Sequence, residues 1–225
     1  MAARFYGRWI AANGAAEALG LGATLALGGL AARALERQPG PGAVLLGALA
    51  AVVCGVLLEG VLVGLAQAWA LRTRIAALSV RDWTLASALG AGIAWALGMV
   101  PSTLMALKGP AAGGAAADVT EPAAWVQYSL AVAMGLVLGP VLGWAQVRVL
   151  KRHVAHPYRW LWANALAWAL GMLLIFAGMD RVPWSQGLPE IMAAVVLVCA
   201  LAGLAVGAVN GWFLMRMISA SASAN

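Results

Sequence analysis

Apolar runs alternate along the chain with short polar stretches that hold most of its charge. Six of the runs are long enough for a bilayer-spanning helix, which needs about 20 mostly apolar residues. They cover residues 9–32, 43–70, 84–106, 122–149, 160–179 and 189–215. None alternates apolar and polar residues as a strand of a membrane barrel does. The pattern predicts an all-α fold: a polytopic transmembrane six-helix bundle forming a single integral membrane domain over residues 1–225.

The few small and polar residues inside the runs recur. Gly139, Gly143, Gln146, Leu150 and Lys151 lie in the fourth run. Gly60, Gly64, Gln67, Leu71 and Arg72 repeat their spacing in the second, and Gly203, Gly207, Asn210, Leu214 and Arg216 repeat it loosely in the sixth. The odd-numbered runs share a different pattern. With Arg8 set on Arg159, Trp9 falls on Trp160, Asn13 on Asn164 and Gly20 on Gly171 without a gap. The third run shares WALGM at 95–99 with the fifth at 168–172, whereas its start at Trp83 matches only after a short insertion. The unit is a two-helix hairpin used three times, over about 4–74, 81–152 and 159–217. Two spans per unit keep every copy in one orientation, so the copies are expected to be parallel repeats about a pseudo-threefold axis along the membrane normal.

Composition agrees with the class. The chain is 64% apolar and 10% charged, with a mean hydropathy of +0.89. Soluble domains carry roughly 25% charged residues. A net charge of +6 in a soluble protein would suggest nucleic acid; here its distribution over the loops matters more, and no nucleic-acid partner is expected. With the N-terminus in the cytoplasm, ten of the fourteen cations fall at cytoplasmic ends of spans: Arg4, Arg8, Arg72, Arg74, Arg81, Arg148, Lys151, Arg152, Arg159 and Arg216. That asymmetry predicts both termini in the cytoplasm. The first run follows two arginines, as a signal peptide would, but its length and the lack of a clear cleavage site predict a retained helix. The excess of Ala, Gly and Arg is that of a GC-rich bacterial genome, which points to a bacterial inner membrane.

On a helix, residues four apart share a face and residues seven apart return to within about 20°. Gly60, Gly64, Gly139, Gly143, Gly203 and Gly207 therefore form notched stripes suited to close helix packing. Gln67, Gln146 and Asn210 end those stripes, either as an interhelical polar ring or as the lining of a cytoplasmic constriction. Of the tryptophans, Trp9, Trp83, Trp125, Trp160 and Trp184 lie near span ends and are expected to anchor at the interface. Trp95 and Trp168 sit deeper, at equivalent positions of the WALGM match, as packing residues. Pro140 is expected to kink the fourth helix. The 108–122 connection and the 218–225 tail read as flexible. Cys54 and Cys199 read as small packing residues.

Two acids, Glu17 and Glu59, stand inside spans, where a charged side chain costs roughly 3 kcal/mol on insertion scales. Neither recurs: the counterpart of Glu17 is Trp168 and that of Glu59 is Leu138. They are either neutral acids bonded across helices, to Asn13 or Asn164, or a site for a proton, a cation or an amine, with Asn13 on the same stripe as Glu17. His153 and His156 lie in a loop with no thiol or carboxylate nearby to complete a metal site. No metal or cofactor is expected, and the lack of G-x-S-x-G, H-E-x-x-H and Walker motifs argues against an enzyme. Two functional classes remain. One is an accessory or scaffolding subunit of a larger membrane complex, held in the lipid bilayer and contacting other membrane subunits or copies of itself; the lack of soluble domains and energy-coupling motifs favours it. The alternative is a small proton- or cation-coupled transporter or channel with Glu59 as the intramembrane site, which the unrepeated acids favour.

Overall fold

In the computed structural model, residues 2–35, 40–109 and 122–222 are described, and their regular structure is entirely helical. The helices are α1 Ala2–Leu35, α2 Pro41–Leu71, α3 Val80–Lys108, α4 Ala124–Leu150, α5 Arg159–Met179 and α6 Leu188–Ala222. Each is long and apolar enough to cross a membrane. Their outer faces suit the same solvent: Leu46, Leu57 and Val137 are 62%, 60% and 64% exposed. Large apolar patches of this kind are rare on soluble monomers and ordinary against lipid.

Local signals set the helix ends. Pro41 opens α2, where its missing N–H would have no partner anyway, and follows Gly40 at φ 157. Ser79 caps α3 by accepting the Asp82 N–H at 3.2 Å, and the Asp82 carboxylate sits in the positive first turn. Between α4 and α5, His156 takes a left-handed backbone at φ 53. One irregularity falls inside a span: Gly55–Gly60, in the middle of α2, forms a π-helical turn that contains Glu59. Helix α4 continues through Pro140 as one helix.

Each helix packs on its neighbours in sequence, and α1 also packs on α6, so the six close into a ring. Among the described residues no other pair of helices brings its backbones together, and only side chains reach across the ring. The Tyr6 hydroxyl near the start of α1 donates to the Ala208 carbonyl in the second half of α6 at 2.9 Å, which brings both ends of the chain to one end of the ring. The glycines permit this packing. A Cβ on Gly60 would lie 2.8 Å from the Ala88 Cα, and one on Gly64 2.7 Å from the Thr84 Cα. On Gly203 it would meet the Asn13 carbonyl oxygen at 2.7 Å, and on Gly207 the Asn13 Cβ at 2.9 Å. Gly139 meets the Asn164 backbone carbonyl in the same way, while a Cβ on Gly143 would meet the Asn164 side-chain Nδ2 at 3.0 Å. The helices thus touch backbone to backbone, which only a residue without a side chain allows.

One sequence expectation fails at this end. Trp9, Trp83 and Trp160 are wholly buried instead of standing at the interface. Their indoles cluster at the centre of the ring, Trp160 lying 6.0 Å from Trp9 and 6.2 Å from Trp83 between centroids. Proximity to a span end does not say which face a residue takes, and these three share the inward face with Asn13, Ser87 and Asn164 one turn on. Trp125 and Trp184 are exposed. So are Trp69, Trp144 and Trp212, each under an arginine: Arg8, Arg148 and Arg216 lie 4.7, 3.6 and 3.8 Å from the ring centroids. In the tail expected to be flexible, helix α6 extends to Ala222, and Ser221 Oγ accepts the Ala155 N–H of the α4–α5 turn at 2.6 Å. Residues 223–225, and 110–121 of the expected flexible connection, lie outside the described residues.

Candidate functional site

The interior of the ring is layered, one helical turn at a time. On α1 the inward positions are Trp9, Asn13, Glu17 and Leu21, at the four-residue spacing that keeps them on one face. Beside the tryptophan plug lies a layer of amides. Trp9 Nε1 donates to Asn210 Oδ1 at 2.8 Å, Trp83 Nε1 to Gln67 Oε1 at 3.2 Å, and Trp160 Nε1 to Gln146 Oε1 at 2.8 Å. Each bond joins an odd-numbered helix to the even-numbered one before it, with α6 serving α1. One turn on, Asn13 Nδ2 donates to the Trp9 carbonyl, Ser87 Oγ to the Trp83 carbonyl and Asn164 Nδ2 to the Trp160 carbonyl.

The amide nitrogens continue the network in two cases out of three. Gln67 Nε2 donates to Asn13 Oδ1 at 2.8 Å, and Gln146 Nε2 donates to Ser87 Oγ at 2.8 Å and Gln67 Oε1 at 3.1 Å. Asn210 Nδ2 is buried with no hydrogen-bond partner. By position its counterpart acceptor is Asn164, and asparagine is one methylene shorter than the glutamine that makes the equivalent reach. A small polar cavity of about 30 Å³ lies here, lined by Asn210, Asn164, Gln67, Gln146 and both acids. About one probe sphere, roughly 10–15 Å³, is enough for a water.

The acids form the next layer. Gly20 lets α1 approach the π-helical turn of α2, since a Cβ there would lie 2.7 Å from the Glu59 Cα. Glu17 packs its methylenes on Gly203, where a Cβ would lie 2.7 Å from its Cβ and Cγ. Both residues are buried, and both line the polar cavity. Glu17 Oε2 has no hydrogen-bond partner, whereas Glu59 Oε2 accepts the Trp95 indole N–H at 2.8 Å. Neither asparagine supplies the cross-helix bond expected for the acids: the Asn13 amide serves Gln67 and the Trp9 carbonyl, and that of Asn164 turns back to Trp160. Buried carboxyls are costly without partners, and Glu17 Oε2 is one of the few buried side-chain polar atoms among the described residues that lacks one.

Beyond the acids the interior opens into a cavity of about 220 Å³. Its wall is almost wholly apolar and includes Trp95, Trp168, Met99, Met134, Met172 and Leu138; among the described residues Glu59 is the one ionisable group that lines it. Glu59 thus belongs to both cavities.

The sequence missed Trp95, Gly55 and Ser87. Gly55 matters because a Cβ on it would run into the Trp95 indole, one turn before the carboxyl that the indole binds. Ser87 was legible: placing Trp83 on Trp160 without an insertion sets it on Asn164. The WALGM match instead misled. It equates Trp95 with Trp168, but Trp95 lies twelve residues after the buried Trp83 and Trp168 eight after Trp160, so they stand one turn apart in the layers. The two cysteines are free thiols, Cys199 buried and Cys54 half-buried.

A ring of six apolar helices around a polar, acid-bearing core defines a multi-pass helical membrane protein. Comparison with protein-family models, with curated proteins and with solved structures finds no match.

Proposed function

We propose that the chain is a small proton- or cation-coupled transporter in which Glu59 is the exchanging group and Glu17 its partner. The observation that carries this reading is the position of Glu59. It is a membrane-embedded carboxyl shared between a 220 Å³ apolar cavity and a polar pocket, in a π-helical turn, with an unpaired Glu17 oxygen in the same pocket. Intramembrane acids that face a cavity instead of a cation mark proton and ion pathways, and π-helical turns are frequent at functional sites.

In this reading Gln67, Gln146 and Asn210 form the inner barrier, backed by the three tryptophans. The hairpins 4–74, 81–152 and 159–217 are three parallel copies of one unit, a view supported by the thrice-made tryptophan–amide bond. The end with both termini faces the cytoplasm, supported by the ten cations gathered there and by the arginine-capped tryptophans. A bacterial inner membrane is the setting its composition suggests. The surfaces an accessory subunit would offer to partners are used otherwise: the glycine stripes receive the chain's own helices, and the outward tryptophans suit the lipid interface.

The test is proteoliposomes with a luminal pH indicator, given an inward gradient of sodium, potassium or benzyltrimethylammonium. At least one gradient is expected to drive protons out, and Glu59→Gln to abolish the response with the protein still folded and monodisperse. If none of the three moves protons in a Glu59-dependent way, the reading is wrong.

A further inference from the structure

From the 220 Å³ cavity we infer a cargo class: a small hydrophobic ammonium cation, with its apolar body in the cavity and its charged nitrogen on Glu59. The inference rests on the exchange reading and adds the chemistry of what is exchanged.

Three observations on the wall lead there. The first is size. Sites for drug-sized molecules run to roughly 300–1,000 Å³, so a cavity of about 220 Å³ takes a single ring or a short branched chain. The second is the wall itself, formed by leucines, an isoleucine, three methionines and two tryptophans. Such a surface offers nothing to a sugar, an amino acid zwitterion or a hydrated metal ion, each of which would lose hydrogen bonds on entry. It suits an apolar body, and polarisable indole and thioether groups tolerate a neighbouring positive charge. The third is Glu59, the single ionisable group among the described lining residues. Glu59 Oε2 takes the Trp95 N–H, and among the described residues Oε1 receives no hydrogen bond. The indole fixes the carboxyl from one side and leaves an oxygen for an N–H donor or an ammonium charge.

Chemistry and position together explain why the acid is unrepeated. Leu138, the counterpart of Glu59, lines the same cavity. A symmetric set of acids would make the chamber polar and suit a metal ion; one acid among apolar walls makes it amphipathic, and amphipathic cations match it. Proton exchange is what charge balance at one carboxylate requires. In the proposed exchange a cation seated on Glu59 takes the place of a proton on that carboxyl, and the proton passes to the polar pocket shared with Glu17.

The experiment is isothermal titration of the full-length protein in nanodiscs with 2-phenylethylammonium and, separately, with 2-phenylethanol. The two have nearly the same shape and differ in charge. The cation is expected to bind at least tenfold tighter than the alcohol, and Glu59→Gln to remove that preference. Gly98→Val serves as a second variant, because its added atoms enter the cavity from a position where a Cβ meets only the Leu138 Cδ1, at 3.8 Å. It is expected to weaken the cation at least tenfold without disturbing the fold. Equal binding of cation and alcohol, an unaltered Glu59→Gln, or no binding of the cation overturns the cargo assignment. If Glu59-dependent proton movement with sodium or potassium is found alongside such a result, the exchange reading stands and only the cargo falls. Charge-selective binding without any proton movement would reject exchange and leave a receptor for the same ligand class.

Discussion

Trp95 on α3 donates its indole N–H to Glu59 on α2 at 2.8 Å, and it reaches the carboxyl by lying over Gly55. The two residues have no obvious link in the sequence. One lies in a motif that looks like packing and the other breaks a repeat. Their contact turns a buried acid into an oriented one, with one oxygen held and the other left to the cavity.

Trp95→Phe keeps an aromatic ring, removes the donor and leaves space where the rest of the indole lay. Interhelical hydrogen bonds in membranes average about 0.6 kcal/mol, and the lost packing adds to that, so thermal unfolding in detergent should show a loss of at least this size. Gly55→Ala should lose at least as much, because the new methyl group occupies the indole's place. Unchanged melting in both variants would mean that the bond does not hold Glu59.

Asn210→Gln should stabilise the protein. The added methylene carries the amide toward Asn164, as Gln67 reaches Asn13 and Gln146 reaches Ser87. Satisfying the orphan Nδ2 is worth about 1 kcal/mol. The reciprocal Gln67→Asn should cost a similar amount. A melting point that falls in Asn210→Gln would show that the short side chain is required, with its place taken by a bound water that the longer amide expels.

Gly139→Ala sets a methyl group against the Asn164 carbonyl at the α4–α5 crossing. Overpacking of this kind costs about 1–3 kcal/mol, since two backbones must move apart. Gly7→Ala is the control: nothing lies within 4 Å of a Cβ there, and helix propensity alone predicts a small gain. Equal effects of the two changes would remove the case for close packing at the stripe.

The spans were legible because hydropathy over twenty residues integrates a strong signal: five of the six helices contain their predicted run, and the fourth starts two residues into its own, at Ala124. The stripes of glycine and amide were legible as stripes but not as inward-facing ones. A helix that is apolar all round gives no moment to orient it, and lipid and core both accept leucine. The same degeneracy hid Trp9, Trp83 and Trp160, which composition alone cannot distinguish from the exposed Trp69, Trp144 and Trp212. Glu17 and Glu59 were found because charge in a span is expensive wherever it points. The cavity beside them was not, since it is formed by residues from five helices whose juxtaposition no local pattern records.

The tryptophan plug gives the last prediction. Trp9, Trp83 and Trp160 are fully buried together with Leu71, Leu150 and Leu214, so this conformation is closed between the amide layer and the end that carries the termini. A cysteine at Ser87, one turn inside Trp83, should therefore be unreactive toward a charged maleimide added at that end, in a background with Cys54 and Cys199 replaced. Trp160→Leu removes an indole that touches both of the others and unpairs Gln146 Oε1, opening the centre of the plug while keeping an apolar side chain to hold the fold. Labelling of Ser87→Cys should then rise severalfold, and from that end only. If Ser87→Cys already reacts freely with all three tryptophans present, the amide layer is wet from the terminal side and the barrier lies elsewhere. If labelling stays absent after Trp160→Leu in a folded sample, the leucines suffice as the seal, and the tryptophans serve to orient the amides.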